Sequence, residues 1–144
     1  MAKDNKRNNQ NQNRNQQRYT GKNVDMMGDA GRMERHAVDV FRDMNRGRWN
    51  INGLSDFYNR DFVWASIKAA ERNIRKHDIL FTALNFTYPN CADSDVIALK
   101  NQEMQSLNGW RYIYQVLMGY MNSGDIGTIL GMNNQLSTNR ELRL

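Results

Sequence analysis

One cysteine, Cys91, and two histidines, His36 and His77, are the whole supply of thiol and imidazole groups in this chain. A thiol nucleophile would need a histidine to activate it and donors for an oxyanion. Cys91 follows Pro89-Asn90 just before an expected helix start, where a helix dipole could lower its pKa. The sequence nominates neither the histidine nor the donors. Zinc sites draw on four Cys, His or carboxylate ligands at short spacings, and these three residues have no such spacing. Asp93 and Asp95 precede an apolar run and read as helix-capping residues, not as a general acid and base. Gly124, Gly127 and Gly131 lack the preceding strand and the Lys-Ser/Thr pair of a phosphate loop. These patterns point away from an enzyme and imply no cofactor and no metal.

The chemistry that does stand out is electrostatic. Lys3, Lys6, Arg7, Arg14, Arg18 and Lys22 face a single acid, Asp4, within residues 1–24, which accounts for the whole formal net charge of +5. The remaining 120 residues carry fourteen basic and fourteen acidic side chains. Ten of the thirteen residues from Asn5 to Gln17 are Asn or Gln, and no Val, Ile, Leu, Phe or Trp occurs before Val24. Such a segment buries too little apolar surface to offset its ordering entropy. It reads as a basic, low-complexity N-terminal arm with Tyr19 as its one aromatic. Six cations on phosphates would give a log–log salt slope of about −5 on duplex nucleic acid, without sequence preference. The same arm could tether a neighbouring subunit or act as a solubilising tail.

Arg32 and Arg35 extend this basic character into the first expected helix, with Arg42, Arg46 and Arg48 beyond. Asp39 and Asp43 are interspersed among them, so pairing within the helix competes with a continuous basic stripe.

The elements that must carry these groups are helical. Met33, Ala37, Val40, Phe41 and Met44 share one helical face, with Asp29 as a possible cap and Gly47 as a stop. Residues 48–55 read as a loop whose Trp49, Ile51 and Leu54 tuck back. Val63, Ile67, Ala70, Ile74, His77, Phe81, Leu84 and Tyr88 then alternate steps of 4 and 3, a seam that predicts one long helix ending before Pro89. Asp78 could instead cap a second helix and split it. His77, on the seam, reads as a satisfied core or boundary histidine. A further helix is expected from Asp93 or Ser94 to about Asn122, and a short one over Ile126–Met132. With no period-two alternation, the fold expected is all-α: a small helical bundle of three main helices plus short ones. The organisation expected is an arm over 1–24, a helical body over 25–132 and a polar tail over 133–144, frayed or serving as a second contact arm.

Trp110, Tyr112, Tyr114 and Tyr120 exceed what one helix face needs, which suggests a subunit interface. No apolar run approaches the ~20 residues that span a bilayer. No apolar stretch follows the basic N-terminus, so it does not read as a secretory signal. A lone cysteine fits a reducing compartment, a virion or host cytoplasm. The expected role is a non-enzymatic structural or assembly protein, a capsid-associated component of a virus or phage virion. Its partners would be further copies, other particle subunits and non-specific nucleic acid, with no membrane. A small stand-alone nucleic-acid-binding regulator is the alternative.

Overall fold

The computed structural model describes residues 28–144, which are all-α: four α-helices and one 3-10 helix, with no strand among the described residues. The arm, with Lys3, Lys6, Arg7, Arg14, Arg18, Tyr19 and Lys22, lies outside the described residues. The chain divides into two compact units, residues 1–36 and 37–144, and the packing described below belongs to the second.

Helix α1 spans Gly28–Asn45. Its end is a Schellman cap. Gly47 takes φ 71°, its N–H donates to the Met44 carbonyl, and the Arg48 N–H reaches back to the Asp43 carbonyl. A residue with a Cβ resists this left-handed conformation, which is why the helix stops there.

The stretch expected to be a loop instead forms a 3-10 helix, Ile51–Tyr58, started by the Asn50 side chain accepting from the Asn52 N–H at 2.8 Å. Its purpose is Phe57, which is buried and meets Phe62 edge-on at 5.1 Å and Phe41 at 6.4 Å. Trp49 and Leu54 do fold back onto the core, whereas Ile51 stays exposed.

Helix α2 runs unbroken over Arg60–Thr87, straight through Asp78. Asn59 caps it by accepting from the Asp61 N–H at 2.9 Å. Helix α3, Ser94–Ser123, starts at Asp93, whose carboxylate accepts from the N–H groups of Asp95 and Val96. It ends at Gly124, φ 66°. The two helices pack antiparallel as a long hairpin. Helix α4 was expected to close at about Met132 but spans Gly127–Thr138, burying Ile129, Met132 and Leu136. Those positions fall at helical spacing; the polar residues between them merely face water.

The last six residues are not frayed. Asn45, at the end of α1, donates from Nδ2 to the carbonyls of Leu136 and Leu142, and its Oδ1 accepts from the Leu144 N–H. The Arg143 N–H donates to the Gln105 carbonyl at 3.1 Å. This strap crosses α3 at Gly109, where an added Cβ would stand 2.7 Å from the Arg143 carbonyl oxygen. Mid-helix glycine costs about 1 kcal/mol relative to alanine, and close passage of the strap is what it provides here. Gly109→Ala is therefore expected to destabilise the fold by about 1–3 kcal/mol despite its better helix propensity. Removing residues 142–144 as well should leave little of that penalty, because the two changes share one contact. Chemical denaturation of the three variants measures the coupling.

Candidate assembly surface

The α2–α3 hairpin is used unevenly along its length. Every buried residue of α2 lies between Phe62 and Ala70, and every buried residue of α3 lies between Ser106 and Tyr120. The core of 37–144 is thus built at one end of the hairpin, where α1, the 3-10 helix and α4 meet it. The far half, residues 71–105 including the turn, continues outward for about 25 Å at 1.5 Å per residue.

Its own seam is closed. Phe81, Leu84 and Val96 are half-buried between the helices. His77 Nδ1 and Glu103 Oε1 stand 2.6 Å apart with both side chains largely shielded. With Nδ1 protonated, the ring donates to the carboxylate, satisfying the histidine as the seam position implies. Lys100 Nζ donates to the Tyr88 carbonyl at 2.7 Å and ties the turn.

The outward faces are apolar as well. Phe86 is 87% exposed and Ile79 61%, seven residues apart on one stripe. Leu80, Tyr88, Ile97, Leu99 and Met104 are also exposed. Ile51, Tyr58 and Trp64 are exposed too, on the core-end stretch. From Ile79 to Ala92 the sequence carries no charge. Soluble monomers rarely expose contiguous apolar patches beyond a few hundred Å². The seam spacing does not reach Ile79, Leu80, Phe86 or Leu99, whereas Ile97 and Met104 fall on the broad apolar face that the sequence predicts for α3. For Ile79, Leu80 and Phe86 the signal is the coincidence of off-seam apolar positions with the uncharged run.

The expected interface aromatics are placed differently. Trp110 is fully buried and meets Phe41 edge-on at 6.1 Å. Tyr120 is buried and donates from its hydroxyl to the Phe57 carbonyl at 2.8 Å. Burial pushes the Tyr120 phenol up, with Tyr58 adding to the rise, and burial also raises Tyr112. Tyr112 and Tyr114 are half-buried against the core. Arg32 and Arg35 lie exposed on α1, in the other unit.

No protein-family model, curated protein or solved structure matches this chain. Its function must be read from the molecule itself.

Among the described residues no three His, Cys, Asp or Glu side chains gather as a metal site, and no helix is long and apolar enough to cross a membrane. Cys91 is half-buried in the hairpin turn. An open cleft of about 760 Å³ beside the C-terminal strap is lined by amides, hydroxyls, Leu136, Leu142, Arg140 and Arg143. No carboxylate, histidine or cysteine side chain is among its lining residues.

Proposed function

We propose that this chain is a non-enzymatic structural and assembly protein, a capsid-associated component of a virus or phage particle. In this reading the helical body makes subunit contacts and the basic arm contacts packaged nucleic acid or an adjacent subunit. The observation that supports it most is the far half of the hairpin, which holds large apolar side chains away from the core on two well-capped helices. A self-contained protein gains nothing from a projection of that composition, whereas a subunit of an assembly buries it. The arm adds the second half. Its six cations and many amides suit phosphates or backbone groups without sequence readout. A virion or host cytoplasm is the corresponding location.

Sedimentation of the full chain and of a chain beginning at Asp25, with and without nucleic acid at low and moderate salt, tests both halves. Both chains should self-associate, and only the full chain should bind nucleic acid, with a log–log salt slope of about −5. Monomers at tens of micromolar contradict the assembly role. A sequence-specific complex of a monomer would instead make the protein a regulator.

A further inference from the structure

We propose that the strap, residues 139–144, is exchanged between copies, each chain seating it in the groove that Asn45, Gln105 and Gly109 form on a neighbour. This inference rests on the assembly reading and names one contact within it.

The groove and its occupant are both present in the single chain. Asn45 engages the strap with both ends of its amide: Nδ2 donates to the Leu142 carbonyl at 3.1 Å, and Oδ1 accepts from the Leu144 N–H at 3.1 Å. Nδ2 also donates to the Leu136 carbonyl of α4 at 2.8 Å, a bond that holds the amide in place whether or not a strap is there. The Arg143 N–H donates to the Gln105 carbonyl at 3.1 Å. Gly109 gives the clearance, since an added Cβ would stand 2.7 Å from the Arg143 carbonyl oxygen. Leu142 and Leu144 rest half-buried on the core. The bonds from Asn45 and Gln105 take the strap by its backbone, and none needs the strap to come from the same chain. A strap from a second copy would make the same contacts, which is why exchange of an identical element is a low-cost route to association.

The link to α4 is built to open. Asn139, Arg140 and Glu141 are exposed and follow directly on the helix. A local turn folds them: the Leu142 N–H donates to the Asn139 carbonyl at 3.1 Å, and the Glu141 N–H donates to Asn139 Oδ1 at 2.9 Å. From the body, Gln105 Nε2 reaches the Arg140 carbonyl at 3.4 Å, long for a hydrogen bond. Asn139 and Arg140 border the open cleft of about 760 Å³. Straightening the turn therefore trades local bonds for bonds to water at small net cost. Once straight, the six residues reach about 20 Å from the end of α4, enough to cross to an adjoining copy. Arg140, Glu141 and Arg143 keep the released strap compatible with water.

Concentration decides which groove is filled. On so short a link the strap meets its own groove at an effective concentration on the order of millimolar, so a dilute chain keeps its strap. Copies packed in an assembly stand at comparable concentrations. There a neighbour's groove competes on equal terms, and reciprocal exchange ties the two copies together.

Paired cysteines read the connectivity directly. In a full chain carrying Cys91→Ser, Gln105→Cys is placed in one population and Arg143→Cys in another. The two are refolded together at assembling concentration and treated with a short bismaleimide. About half of the pairs should link as unlike chains, the share of mixed pairs in random two-fold exchange. Either population treated alone gives the baseline. Asn45→Ala added to the Gln105→Cys chain should cut the linkage at least about ten-fold, because it removes two of the bonds that seat the strap. With both cysteines in one chain, dilution should convert an interchain product into an intrachain one. Far-ultraviolet dichroism checks that each variant keeps its helices. A mixture that links no better than the baseline, or a doubly substituted chain that links only within itself at every assembling concentration, overturns the exchange and leaves the assembly role standing. Linkage indifferent to Asn45→Ala overturns the groove as the seat. A full chain that sediments as a monomer overturns both readings.

Discussion

Trp110→Ala is expected to lose about 3–5 kcal/mol of stability, a large share of the 5–15 kcal/mol that holds an ordinary domain together. Trp110 has no exposed surface and sits where the helices of the core converge. Its ring meets Phe41 of α1 edge-on, Phe41 meets Phe57 of the 3-10 helix, and Phe57 meets Phe62 of α2. One string of rings therefore ties four elements. Truncating the largest member leaves a cavity that rigid helices cannot close and removes an edge-to-face contact besides. Denaturant midpoints measure the loss. Tyr112→Ala is the comparison: a half-buried ring at the edge of the same core should cost distinctly less. Equal losses from the two would mean that Trp110 is not at the centre of the packing.

The second large effect concerns association and leaves folding alone. Leu80→Gln together with Leu99→Gln should reduce self-association by about a thousand-fold, since a contact between copies over the far half of the hairpin loses both leucine side chains. The denaturation midpoint of the dilute protein should not fall. Both leucines are exposed in the single chain, and glutamine is nearly as good a helix former as leucine. A core role predicts the reverse: unfolding with association unchanged per folded molecule. The two variants thus separate the two ends of one hairpin. Trp110, at the core end, should govern stability, and Leu80 and Leu99, beyond it, should govern assembly.

The helices were legible in the sequence because their apolar positions keep strict spacing. The seam from Val63 to Tyr88 marks α2 along its whole length, and Asp93, Gly47 and Gly124 mark ends that the backbone geometry obeys. The place where that seam leaves the core was not legible. Val63, Ile67 and Ala70 follow the same steps as Phe81, Leu84 and Tyr88, yet only the first group is covered by α1, the 3-10 helix and α4. Periodicity within one helix reports which side faces its partner and carries nothing about how many further elements stack on it.

The aromatics show the same limit from the other side. Trp110 and Tyr120 exceed the needs of a three-helix face, but the 3-10 helix brings Phe57 to Tyr120 and α4 adds a further wall. A stretch rich in Asn, Ser and Gly gives little warning of the 3-10 helix, which the Asn50 side-chain cap defines as much as apolar pattern does, and the apolar pattern over Ile126–Met132 gives little warning that α4 runs on to Thr138. The strap leaves no sequence signal for a related reason. Backbone bonds to Asn45 and a glycine-width gap at Gly109 hold it, and neither leaves a periodic trace.

The most direct measurement of the assembly surface is hydrogen exchange on the full chain across a hundred-fold range of protein concentration. If the far half of the hairpin is where copies meet, amides between about residues 75 and 103 should gain protection as concentration rises, while those around Trp110 and Phe41 stay at their already high level. Protection that is identical at both ends of the range, or a gain confined to the neighbourhood of Tyr112 and Tyr114, would contradict it.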